Sequence, residues 1–232
     1  MIVGHIGVRE GSKGLTGKNF KEIAGKPLID WSLDQLIKIK MIDEIIVSTD
    51  DVQIYEHCLK KGALDIGLRP KELSTDTCSK WKVWQHSLDI IEKSFDGIEI
   101  FLDLDCTAPL RDESDIIRGI NLFYEEMPDM VISCCDAKKN PYFNLLEMDK
   151  SGSLKVSKPL DKNVVARQLA PKVFEHAAST YLIKPDYLKS ANFLYEGRVI
   201  PLMMSNENCI DIDSELDFKI VNYLLEERKN EL

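Results

Sequence analysis

Apolar runs alternate with helical patterns along most of this chain. IVGHIGV (2–8) predicts a buried first strand that runs into a glycine-rich loop. Leu28, Leu33, Leu36 and Ile37 share one face, which predicts a helix opening near Pro27, a residue tolerated at a first helical position. EIIVST (44–49) reads as a second strand, and VQIYEHCLKKG (52–62) as a helix stopped by Gly62. ALDIGL (63–68) reads as a further short strand before the polar loop 69–77. Trp81, Trp84, Leu88 and Ile91 recur at helical spacing within 79–94, and IEIFLDLD (98–105) follows as a central strand. Asp112 is a candidate cap for a helix reaching about Met127, and MVISCC (130–135) is one more strand. This alternation predicts an α/β fold with a parallel sheet and helices on both faces.

The rhythm breaks after residue 136. NLLEM and SLKVS flank an Asp-Lys-Ser-Gly turn at 149–152 and predict a hairpin inside an excursion from the main sheet, about 137–176. STYLI and RVIPLMM return to strand character, and Ser214 with Asp217 forms a capping-box pattern before a last helix at 215–228. Without repeats, low-complexity tracts or an evident linker, the 232 residues fit one domain.

Composition narrows the class. The chain is 44% hydrophobic and 30% charged, ordinary for a globular protein, and its net charge of −9 argues against a phosphate-neutralising nucleic-acid binder. A local basic cluster inside an acidic protein can still hold one small polyanion. The first apolar run is too short for a secretory signal, and no stretch approaches the ~18 apolar residues of a membrane span, so a cytoplasmic protein is expected. Six cysteines without a CxxC pair, and four histidines not placed to complete a zinc site, read as reduced thiols serving as small core residues.

Three segments carry candidate chemistry. VREGSKGLTGKN (8–19) places Gly11, Gly14 and Gly17 among Arg9, Lys13 and Lys18, with Ser12 and Asn19 as neutral donors. Glycines let backbone N–H groups approach an anion, so the loop suits either a di- or triphosphate cradle or a solvated basic turn. It matches neither the Walker A nor the GxGxxG pattern. Asp211 and Asp213, two apart, send both carboxylates to one face of an extended segment. That pair suits a hard divalent cation shared with substrate phosphates, or acidic capping of the following helix. FLDLDCTAPLR (101–111) ends a strand on Asp103 and Asp105, where α/β sheets place their sites; Arg111 is the alternative, structural ion-pair partner of the two.

Together these pieces resemble the acylneuraminate cytidylyltransferase family, the CMP-sugar-acid synthetases, over essentially the whole chain. Arg9, Ser12, Lys13, Gly14, Lys18 and Asn19 carry its Arg-x-x-Ser-Lys-Gly-x-x-x-Lys-Asn signature. AGKPLIDWSL and IIVSTDD follow in order. LRPKELSTDT is similar to its Leu-Arg-Pro-x-x-Leu-x-x-Asp-Thr segment, TAPLR to its Thr-Ser-Pro-Leu-Arg, ARQLAP (166–171) to its Arg-Gln-x-x-Pro, and IDIDSELD to its metal-binding end.

The resemblance implies a Rossmann-like three-layer nucleotide-diphospho-sugar transferase fold with a small dimerisation excursion. It implies that CMP passes from CTP to a nine-carbon α-keto sugar acid of the sialic or legionaminic type, with release of pyrophosphate. Arg9 and Lys18 would hold the phosphates, with Ser12, Lys13, Gly14, Asn19, Arg69, Asp76, Thr77, Lys80 and Asp105 around the nucleotide. Thr107, Arg111, Arg167, Gln168 and Ala177 would face the sugar acid, and Asp211 and Asp213 would hold Mg²⁺. A homodimer is implied, its excursion reaching toward the partner's site.

Glu10, the Asp105–Cys106 pair in place of Gln-Pro, and Ala177 in place of a sugar-contacting asparagine depart from the sialic-acid pattern. They bear on the sugar rather than on the reaction. Asp103–Arg111, NPYFN (140–144) and ARQLAP look closer to the legionaminic-acid branch. The runner-up readings are a sugar-1-phosphate nucleotidyltransferase on a similar fold and a non-catalytic nucleotide sensor.

Overall fold

The computed structural model describes residues 1–11, 17–162 and 164–230. Its strands are β1 (Ile2–Gly7), β2 (Glu22–Ile23), β3 (Lys26–Pro27), β4 (Glu44–Ser48), β5 (Ile100–Leu104), β6 (Met130–Asp136), β7 (Leu146–Met148), β8 (Leu154–Val156), β9 (Phe174–Ile183) and β10 (Val199–Met203). The helices are α1 (Leu28–Lys38), α2 (Val52–Lys60), α3 (Lys80–Ile91), α4 (Glu113–Glu126), α5 (Pro185–Ser190) and α6 (Glu215–Asn230).

Six strands form one sheet in the order β10-β6-β9-β5-β1-β4. The expected all-parallel sheet needs one correction. β9 runs antiparallel to both neighbours, β5 and β6, while the remaining pairs are parallel. The second departure is 63–68, which makes a single bridge from Leu64 to Ile46 rather than a strand. Only Ala63 is buried in this stretch and the positive φ of Gly67 breaks extension, so nothing sustains a ladder.

Two apolar layers sandwich the sheet. Leu28, Leu33, Leu36, Ile54, Ile116, Ile120, Val221 and Leu225 bring α1, α2, α4 and α6 into one core. Trp81, Trp84, Leu88, Tyr187 and Leu188 bring α3 and α5 into the other. Central strand residues such as Phe101, Leu102 and Leu104 are fully buried, which explains their continuous apolar run. The cap signals at Asp112 and Ser214 hold, and two further caps join them. Asp112 and Asp115 form a reciprocal capping box on α4. Asp51 caps α2 and Ser79 caps α3 through side-chain acceptors, and Ser214 with Asp217 does so at α6.

β7 and β8 form the expected hairpin, turning at Gly152 (φ 83°) and standing off the main sheet. The register of β9 against β6 slips between Ile132 and Cys134, which pair with Tyr181 and His176. The Ser133 hydroxyl stitches the slip, donating to Ala177 O at 2.8 Å and accepting from Thr180 N at 2.9 Å. This irregularity sets Ala177–Thr180 beside the end of β5, where Asp105 N donates to Ser179 O at 2.8 Å.

Candidate active site

The carboxyl ends of β1, β4 and β5 converge with the segment before α6. Leaving β1, Arg9 is tied from both sides: its guanidinium donates to Asp76 Oδ1 at 2.6 Å, and its carbonyl accepts from Asn19 Nδ2 at 3.1 Å. Lys18 Nζ donates to Ile212 O at 2.8 Å and lies 4.0 Å from Asp213 Oδ1. The two ends of the glycine-rich loop are thereby fastened, one to the 69–78 loop and the other to the acidic pair. Ser12, Lys13 and Gly14 lie outside the described residues.

Arg9, Arg69, Asp76, Lys80 and Asp105 line one cavity of about 220 Å³. Arg9, Lys18 and Asn19 line a second of about 250 Å³. Arg69 is buried, with Nη2 donating to Ser48 O at 3.0 Å and Nε without a partner. Burial pushes its pKa down, against the pull of Asp50. Thr77 is exposed beside Thr75 and lines neither cavity.

Asp103 and Asp105 share one cation, but it is not Arg111. Lys80 Nζ lies 2.8 Å from Asp103 Oδ2 and 2.6 Å from Asp105 Oδ2, over the rings of Tyr181 (4.3 Å) and Trp84 (5.1 Å). Burial works against the ammonium, yet the two carboxylates outweigh it and raise the pKa of Lys80. Burial likewise works against ionised Asp103, but Lys80 and His5 bring it down to about 2. Arg111, expected to face the sugar acid, is 1% exposed and turned inward. It donates to Gln35 Oε1, Ser179 O and Asp105 O at 2.8–2.9 Å, and also to the Ser32 hydroxyl. Those bonds brace the turn after β5 from behind; the spacing Thr-x-x-x-Arg could not reveal the direction.

The acidic pair lies in contrasting surroundings. Ile212 N donates to Thr107 O at 2.9 Å, drawing the 211–213 segment against the end of β5. Asp213 is exposed, whereas Asp211 is partly buried and its Oδ1 has no partner. Burial raises the pKa of Asp211; a Thr107 hydrogen bond and Lys18 oppose this, while Asp213 and Asp105 add to it. A cation would relieve all three unfavourable effects. Among the described residues no three His, Cys, Asp or Glu side chains gather as a ready cation cage. The carboxylates of Asp211 and Asp213, with Asp211 Oδ1 partnerless, are of a kind that fits a Mg²⁺ completed by other oxygens.

Asp211 and Asp213 share a cavity of about 420 Å³ with Ala177, His176, Lys138, Cys135 and Cys209. Ala177 is only 4% exposed there. Arg167 and Gln168, also expected to face the sugar, line a separate cavity of about 360 Å³, where Arg167 donates to Ala137 O. Reasoning from sequence missed His5, whose apolar strand neighbours disguise it, and the cavity residue Lys138.

Residues 5–220 match the family described as cytidylyltransferase. The chain is 36% identical over 221 residues to the CMP-N,N'-diacetyllegionaminic acid synthase of Campylobacter jejuni, covering 95% of this chain and 93% of that one. It is 35% identical over 224 residues to the post-translational flagellin modification protein B of Campylobacter coli, covering 96% and 94%. Among solved structures it is similar to CMP:2-keto-3-deoxy-manno-octonic acid synthetase complexed with CTP, with a TM-score of 0.72 at 14% identity, covering 98% and 99%. That last likeness speaks for the fold alone. With the family match over residues 5–220 and relatives at 35–36% identity covering nearly the whole chain, the chain belongs to the cytidylyltransferase family and is a nucleotidyltransferase.

Proposed function

We propose that the protein transfers CMP from CTP to a nine-carbon α-keto sugar acid, releasing pyrophosphate. The observation carrying this reading is the juxtaposition of Lys18 and the partnerless Asp211 Oδ1 on either side of Ile212. The anomeric hydroxyl oxygen forms a bond to the α-phosphorus as the bond to the β-phosphate oxygen breaks. Positioning and charge neutralisation dominate such transfers. Arg9 and Lys18 neutralise phosphate oxygens, Arg69 and Lys80 line the nucleotide's cavity, and Thr107 orients Asp211. Asp211 and Asp213 would hold Mg²⁺, which when bound would supply charge stabilisation to the transferring phosphate. The hydroxyl's proton leaves to an acidic-pair carboxylate or a water it orients.

The acceptor takes the 420 Å³ cavity beside Asp211, and its wall favours a legionaminic-type acid. Ala177 offers a methyl group where an amide would reward a matching polar substituent, which suits a deoxygenated, bis-acylated sugar. Arg167 and Gln168 then serve the partner's site in a homodimer built on the excursion at 137–176. Leu146, Met148, Leu154, Val165 and Leu169, all more than half exposed, supply an apolar face for it. All six cysteines are free thiols and no described helix is long and apolar enough to cross a membrane, in keeping with a cytoplasmic setting.

The test is pyrophosphate release. It should require CTP, the sugar acid and Mg²⁺ together; equal release with ATP or in EDTA would defeat the reading. N,N'-diacetyllegionaminic acid should exceed N-acetylneuraminic acid about tenfold in kcat/KM. Sedimentation should give a dimer at micromolar concentration, and a monomer would remove the role assigned to the excursion.

A further inference from the structure

At the floor of the nucleotide cavity a chain of polar contacts runs from fully buried side chains out to Lys80 and Asp105 in its wall. His5 on β1 and Asp103 on β5 are direct neighbours across the parallel pair. Both are 0% exposed, as is Ser87 on α3. His5 Nδ1 lies 2.5 Å from Asp103 Oδ1, and His5 Nε2 lies 3.1 Å from Ser87 Oγ. The other oxygen of Asp103 meets Lys80 at 2.8 Å, and Lys80 continues to Asp105 at 2.6 Å. Gly7 leaves room for the ring: a Cβ there would stand 3.2 Å from His5 Cε1.

Such a network is a poor way to gain stability. Replacing buried ionic and polar groups with packed apolar side chains is often neutral or stabilising. Val3 and Phe101, the preceding inward residues on the same faces, are apolar and fully buried, so the layer would accept such a change. What the polar version does is geometric. Lys80 and Ser87 are seven residues apart, two turns along one face of α3. Asp103 and His5 therefore grip that face at two points. Lys80 has three N–H donors. One goes to Asp105 Oδ2, the ammonium is ion-paired with Asp103 Oδ2, and Lys80 itself lines the wall of the cavity.

We propose that His5 and Asp103, both fully buried at the cavity floor, are positioning residues for the nucleotide: they act through Lys80 to fix the ammonium at the cavity wall. His5 holds Asp103 Oδ1 so that Oδ2 faces the ammonium, and Ser87 holds the ring. The inference rests on reading this cavity as the CTP site.

A double-mutant cycle on CTP affinity, measured by calorimetry without acceptor, tests it. His5→Leu should weaken CTP binding about fivefold in the wild-type background and have almost no effect in a Lys80→Met background, because its route to the ligand is gone. His5→Gln, which keeps a donor toward Asp103, should retain most of the affinity. If His5→Leu does not fold, Asp103→Asn in the same two backgrounds runs the same cycle. A lowered Tm with unchanged Kd, or an equal loss of affinity with and without Lys80, would overturn the proposal and leave His5 a core residue. Failure of the wild-type protein to bind CTP would overturn the nucleotide-site reading itself, and this inference with it.

Discussion

Two pairs of aspartates stand at the edge of one sheet in opposite electrostatic conditions. Asp103 and Asp105 are neutralised in advance by Lys80, with His5 supporting from below. Asp211 and Asp213 are not: Lys18 is 4.0 Å from Asp213, spends its hydrogen bond on a backbone carbonyl, and leaves Asp211 Oδ1 partnerless. Both pairs share the spacing Asp-x-Asp and both follow apolar residues. A pair gathered round one buried cation organises the protein, whereas a partnerless oxygen such as Asp211 Oδ1 is costly until paired or coordinated.

The sharpest way to break this contrast is to remove the cation or its holder. Chelation should abolish turnover, and Asp211→Ala should lower kcat by about 10³ or more with Tm little changed, since the apo protein gains nothing from that charge. Retained turnover would mean that the pair merely caps α6. Next in size is Lys18→Ala, expected to lower kcat by about 10²–10³ without loss of fold. Native turnover in that variant would make the loop a surface turn.

Arg111→Ala probes the organising side. It strands buried acceptors behind β5 and should destabilise the protein by about 3 kcal/mol, read as a lower denaturation midpoint, while KM for the sugar acid in the folded fraction stays near wild type. A selective rise in that KM would return Arg111 to the sugar site.

The smallest effect is on pH. An acid whose pKa is raised on folding makes the native state bind more protons than the unfolded chain between the ordinary and the raised values, so stability increases as pH falls through that window. The metal-free protein should therefore gain Tm relative to Asp211→Asn as pH falls toward the ordinary carboxylate range. Half-saturating Mg²⁺ should rise over the same interval as protons compete for the carboxylate. Identical pH profiles for the two proteins would show that Asp211 is no more burdened than a surface aspartate.

The sequence by itself determined most of the elements and their ends. Periodicity placed all six of the sheet's strands and the longer helices, and Asp112 and Ser214 are caps because short polar side chains satisfy local N–H groups. These are local matters, settled within a few residues. The glycine-rich loop and the Asp211–Asp213 pair stand out as candidates for the same reason, as each is contiguous in the chain. The antiparallel sense of β9 was decided only by the tertiary structure, since an apolar run carries no direction. Tertiary packing likewise turned Arg111 inward, set Lys80 between Asp103 and Asp105, and joined His5 to Asp103 across 98 residues of sequence. Partner choice by a buried charge depends on which side chains the sheet order brings within about 3 Å, and spacing along a chain does not encode that distance.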